Sequence, residues 1–274
     1  MSAVRWLAFL LLLVAAASAY ADGNVTAAVE GRRLVLQGDA GSNWVTIAPG
    51  GTSGGYTVTP VNGATVNGAS AAQTFRGVRS IVARMGAGDD RVDVGAIKLR
   101  GALKIVLEDG NDQVYLTGCA IRGAVRIRCG AGTDTVRTDS PAIFYGSFRA
   151  RGEKGNDELQ AVNAQFRGRL RVDAGDDDDH VLLQGLTCTS AAPVEVYSGP
   201  GLDLVELFSD QFGTDAFIDT GPDDDKVRLL NTRCTGDVSV FGGIGEDDVL
   251  SLESGNVFSR TRTLDGFEEG QPVF

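Results

Sequence analysis

The sequence predicts an all-β fold, a parallel β-solenoid in the form of a right-handed β-helix with about eight rungs of 22 residues and an N-terminal β cap. Three observations carry that expectation. A Gly-x-Asp-x-(Val/Leu) pattern recurs about every 22 residues, apolar and polar residues alternate within each period, and glycines stand at fixed offsets between the alternating runs. Alternation of period two is the mark of strands with one buried face, and a strand that cannot bury its face alone can do so by stacking on copies of itself.

The repeat is marked by eight aspartates, Asp90, Asp112, Asp134, Asp157, Asp179, Asp203, Asp225 and Asp247, at spacings of 22, 22, 23, 22, 24, 22 and 22. After Asp90 the apolar positions are Val92, Val94, Ile97, Leu99, Leu103, Ile105 and Leu107; after Asp112 the same offsets give Val114, Leu116, Cys119, Ile121, Val125, Ile127 and Cys129. Gly101 and Gly123 fall at offset eleven and read as corners. No stretch carries a useful helical period.

Around this array the chain divides into four parts. Met1 to Ala21 has a basic residue, an apolar run and an Ala-Tyr-Ala end, which predicts a signal peptide (1–21) and a secreted protein: extracellular, periplasmic or cell-surface. Residues 22–80 predict an N-terminal β cap containing a degenerate rung with Asn43 at the marker position. Residues 81–250 hold the β-helix repeats, and 251–274 form a C-terminal cap closed by Phe258, Leu264 and Phe267. No later segment is long and apolar enough to span a membrane.

Composition narrows function. With 36 Asp+Glu against 25 Lys+Arg, a net charge of −11, nucleic acid is not expected as a partner. One histidine makes His-dependent metal sites and Ser-His-Asp chemistry unexpected. The 37 glycines show no three-residue collagen period and are explained by turns.

The turns read GAGDDRV, EDGNDQV, GAGTDTV, EKGNDEL, GDDDDHV, GPGLDLV, GPDDDKV and GGIGEDDV. Gly242 to Leu250 matches the nonapeptide G-G-x-G-x-D-x-U-x; Met85 to Asp93, Cys129 to Arg137 and Ser198 to Glu206 match except at the first glycine. These turns resemble hemolysin-type (RTX-like) calcium-binding repeats. The resemblance implies calcium held by Asp carboxylates and main-chain carbonyls of stacked turns. The repeats here are single rather than tandem, and several first glycines are replaced.

The residues argue in parallel. Aspartates stacked about 4.8 Å apart repel by roughly 1 kcal/mol per neighbour even in water, and a hard divalent cation relieves that. The candidate ligands are Asp90, Asp112, Asp134, Asp157, Asp177, Asp179, Asp203, Asp225 and Asp247, with Asp176 to Asp179 and Asp223 to Asp225 the richest runs. The competing reading is that each aspartate caps its own turn by accepting local main-chain N–H bonds.

A basic column, Lys104, Arg126, Arg149 and Arg171, becomes Glu195, Phe217 and Ser239 further along. It permits an alternative: a carbohydrate-binding or polysaccharide-lyase-like β-helix acting on acidic polysaccharide. Against that stands a solvated edge strip. Nothing pairs an acid with a base, so a non-enzymatic structural or binding protein is expected. Its partners would be calcium and, in the alternative, extracellular polysaccharide or cell-surface components. The four cysteines fall on core columns and read as buried free thiols. His180 follows the acidic run and reads as a turn-packing residue rather than a ligand.

Overall fold

The structure, a computed structural model, describes residues 23–267, so the expected signal peptide and the last residues of the expected C-terminal cap lie outside the described residues. Three sheets, of twelve, eleven and eight strands, run side by side along the chain's stacking direction. One rung contributes a strand to each: Leu103–Asp109 to the first, Gln113–Thr117 to the second and Ala120–Ile121 to the third. The next rung repeats the plan with Val125–Ala131, Thr135–Asp139 and Ile143–Phe144. The pairings are parallel and in step, Leu103 opposite Val125, Val114 opposite Val136 and Ile121 opposite Phe144. The protein is therefore a parallel β-solenoid, and the eight strands of the third sheet correspond to its eight turns.

The alternation in the sequence sorts inside from outside. Leu103, Ile105, Leu107, Val114, Leu116 and Ile121 are buried while Lys104, Val106, Gln113 and Tyr115 are half-exposed between them. Each fully buried Leu, Ile or Val contributes about 1.5–3 kcal/mol relative to exposure. Aromatic rings fill the wide middle of the rod: Phe144 packs on Phe166 at 5.1 Å between ring centres, and Phe148 lies 4.8 Å from Phe144. Further along the same column Phe212 is paired with Cys188 on one side and Cys234 on the other, alternating large and small. All four cysteines are free and buried.

The ends differ from the middle. At the N-terminal end Arg33–Gln37 and Trp44–Pro49 already lie parallel to the rung that follows, while Asn24–Glu30 and Tyr56–Pro60 pair with them antiparallel. These hairpins cover an edge that would otherwise present open hydrogen-bonding groups. At the other end Val249–Leu252, Val257–Phe258 and Arg262–Asp265 continue all three sheets, so the rungs run through Asp265 rather than stopping at residue 250. Phe258 and Phe267 pack on the core, but Leu264 is exposed and does not close the end. Among the described residues no helix is long and apolar enough to cross a membrane.

Candidate functional site

The marked turns form one corner of the rod, between the first and second sheets. Their backbone needs glycine: Gly132 sits at φ 142°, where a Cβ would strike the carbonyl oxygen of Gly110 on the preceding rung. The equivalent position, two residues before the marker, is glycine at Gly88, Gly110, Gly155 and Gly201 but aspartate at Asp177 and Asp223, which take φ values of 80° and 82°.

The marker side chains point inward. Asp90, Asp112, Asp134, Asp157, Asp179, Asp203, Asp225 and Asp248 are all between 0% and 3% exposed. In each, Oδ1 accepts the main-chain N–H of the marker one rung earlier. Asn43 donates to Asp90, Asp90 to Asp112, Asp112 to Asp134, Asp134 to Asp157, and so on through Asp225 to Asp248, at 2.6–2.9 Å. The aspartates thus cap turns, but each caps its neighbour's turn rather than its own.

One expected marker needs correction. The eighth marker is Asp248 and not Asp247, which is exposed. The reason is the strand register: Leu250 pairs with Val227 and is buried with Leu252, which places the marker two residues before Leu250. The additional residue is absorbed at Glu246 and Asp247, whose main-chain N–H groups both donate to Oδ1 of Asp224, at 2.9 and 3.0 Å. Asp177 likewise stands outside the ladder; it is exposed, and its Oδ2 accepts the N–H of Gly155 at 3.0 Å.

The second oxygen of each marker has a distinctive setting. Oδ2 of all eight buried aspartates is shielded from solvent with no hydrogen-bond partner. Asn43, at the same place in the first rung, shows what that position faces. Its Nδ2 donates to the carbonyl oxygens of Gly41 at 2.6 Å, Met85 at 3.2 Å and Asp39 at 3.3 Å. The same crowding recurs at Gly152, where an added Cβ would meet both Oδ2 of Asp157 and the carbonyl oxygen of Ala174.

Burial pushes these carboxyls far above the ordinary range: to about 8 for Asp90, Asp157 and Asp179, about 7 for Asp112 and Asp225, and about 6 for Asp134 and Asp203. Asp248 is raised for the same reason. Outside the ladder an exposed acidic edge comprises Asp89, Asp109, Asp176, Asp177, Asp178, Asp223, Asp224, Glu246 and Asp247. Among the described residues no three His, Cys, Asp or Glu side chains converge as a ready-made metal cluster.

Sequence reasoning missed Asp210. It is fully buried at the next corner, accepts the N–H of Leu186 at 2.8 Å, and burial lifts it to about 8. The available signal was its place in a column filled by Ile97, Cys119, Ala142, Ala164 and Leu186 before it and Thr232 after it. His180 packs its Nε2 against Glu206 Oε2 at 3.1 Å on the second sheet, away from the carbonyl-lined interior of the corner. The basic column is continuous: Lys104, Arg126, Arg149 and Arg171 are cross-strand neighbours on the outer surface of the first sheet.

These features define a β-solenoid with a buried carboxyl ladder along one corner and a cationic strip on one face. No protein-family model matches the chain, and the comparisons with curated proteins and with solved structures return no match.

Proposed function

We propose that the protein is a non-enzymatic structural rod that binds calcium along its first corner. The carrying observation is the unpartnered, buried Oδ2 on each marker aspartate, at the place where Asn43 presents an amide to three carbonyl oxygens. An ionised oxygen among carbonyl oxygens calls for a cation. An all-oxygen, irregular set suits calcium, which takes six to eight such ligands. The exposed acids, above all Asp176 to Asp178 and Asp223 to Asp224, would supply oxygens from the solvent side. Two of them, Asp177 and Asp223, stand where the other rungs have glycine, in backbone that disfavours a side chain.

The resemblance of the turns to hemolysin-type repeats supports the same reading, and export, expected from Met1 to Ala21, suits a rod stiffened by calcium. The competing occupant of the Oδ2 position is a proton, which the raised carboxyls favour up to about pH 6 to 8.

Thermal unfolding at pH 8 in calcium, magnesium or chelator tests the proposal. Calcium alone is expected to raise the melting temperature; at a hundredfold excess over the dissociation constant the gain is about 2.7 kcal/mol. Asp157→Asn and Asp179→Asn, which copy Asn43, are expected to raise stability in chelator and to shrink the calcium gain. Identical wild-type curves in calcium and chelator would overturn calcium binding and leave the proton as occupant.

A further inference from the structure

We infer that the outer surface of the first sheet is a binding face for a linear uronic-acid polysaccharide lying along the rod. Two adjacent rows carry it. In one, Lys104, Arg126, Arg149, Arg171, Glu195 and Phe217 follow one another across consecutive rungs; in the other, Arg128, Arg151, Asp173, Tyr197, Asp219 and Phe241 do the same. The cationic half of the face is hollowed into a depression of about 180 Å3 bordered by Lys104, Arg126, Arg128, Arg149 and Arg151.

Charge there is in excess. The single carboxylate of Asp173 has Arg149 at 2.7 Å, Arg151 at 3.4 Å and Arg171 at 3.6 Å, three guanidinium groups on one acid. Lys104 and Arg126 form no ion pair among the described residues. What Arg149, Arg151 and Arg171 already hold is a carboxylate, and a guanidinium fork suits further carboxylates from a ligand.

The face then changes character without a break. The Arg171 guanidinium lies 4.1 Å over the Tyr197 ring, Tyr197 is 5.4 Å from Phe217, and Phe217 is 5.4 Å from Phe241. Half-exposed aromatic rings in a line offer the apolar surface on which a sugar ring packs. Asp219, set beside them, can accept hydrogen bonds from sugar hydroxyls. A nucleic acid is a polyanion too; the carboxylate that the arginines already hold at Asp173 is what favours a polyuronate. The rung spacing of about 4.8 Å repeats the contact along a chain and favours a polymer over a single sugar.

The test is calorimetric titration in chelator with polygalacturonate, neutral dextran and single-stranded oligo-dT as probes. Binding to polygalacturonate that weakens with salt is expected, with dextran and oligo-dT bound weakly or not at all. Arg126→Gln and Phe217→Ser should each weaken it by roughly tenfold, the scale of one lost charge-assisted contact. Arg233→Gln, on the third sheet, should leave it unchanged, and the melting curve of each variant reports whether the rod is intact. No binding to polygalacturonate, dextran bound as tightly, oligo-dT bound as tightly or more so, or wild-type binding by both face variants would each overturn the inference. Asp157→Asn should bind polygalacturonate normally, so this result stands or falls apart from calcium at the corner.

Discussion

The main-chain N–H of Asp157 donates to Oδ1 of Asp179, one rung further along, at 2.8 Å, and both side chains are buried. A bond spanning 22 residues in sequence joins neighbours in space. Repeated on every rung, it ties each turn to the next, so the corner is stabilised by stacking and not by the local turn alone. This is the nearest-neighbour coupling expected of a solenoid.

Removing one acceptor should therefore be felt one rung away. Asp179→Ala leaves the Asp157 N–H buried without a partner, a loss of about 1–3 kcal/mol. Asp179→Asn retains the acceptor and adds a donor aimed at carbonyl oxygens, so it should match or exceed the wild type above pH 8. Equilibrium denaturation of the two variants separates these outcomes. Equal destabilisation by both would show that the side chain acts through its charge.

The register at the last marked turn gives a paired comparison. Asp248→Ala removes the acceptor for Asp225 and should lower stability by about 1–3 kcal/mol. Asp247→Ala, at an exposed position, should change it by less than about 0.5 kcal/mol in chelator. The reverse order in a denaturant titration would place the marker at Asp247 after all.

Stability should fall as pH rises. The ladder carboxyls and Asp210 hold protons up to values of about 6 to 8 in the folded chain, against 3.8 for the same groups unperturbed. Between those limits the folded state binds more protons than the unfolded one, so unfolding releases them. The contribution is fully present below about pH 3.8 and is lost as pH rises through 6 to 8. The slope is about 1.4 kcal/mol per pH unit for each proton released. Melting temperatures in chelator at pH 5, 6.5 and 8 should descend, and less steeply for Asp157→Asn. A rise from pH 5 to pH 8 would contradict the buried ladder.

The aromatic centre should be the most sensitive part of the interior. Phe166 is fully buried between Phe144 and Phe148, with ring centres 5.1 Å and 5.3 Å away. Phe166→Ala should cost about 3–5 kcal/mol, and Phe166→Leu considerably less. A loss below about 1 kcal/mol for the alanine variant would mean that the neighbouring rungs collapse into the gap.

Much of the architecture was legible in the chain itself. A period near 22 with alternation inside it leaves few ways to bury one face of every strand, and Leu103, Ile105, Val114 and Leu116 lie inside as their spacing requires. The first rung was legible at Asn43, which heads the ladder. The basic column was legible because equal offsets become cross-strand neighbours, as Lys104, Arg126, Arg149 and Arg171 are.

The tertiary structure decided the rest. Sequence spacing shows that an aspartate recurs, but not whether its side chain turns toward solvent or into the corner. That depends on φ and ψ at the preceding turn and on the carbonyls of the next rung. Asp247 and Asp248 illustrate the limit: adjacent acids satisfy the motif equally on paper, and only the pairing of Leu250 with Val227 selects between them. The same holds for the face where Arg171 meets Tyr197, since Tyr197 enters the second row only once the strands are aligned. Local pattern fixes which residues need burial, whereas the partner of each polar atom lies a full rung away and is set by stacking.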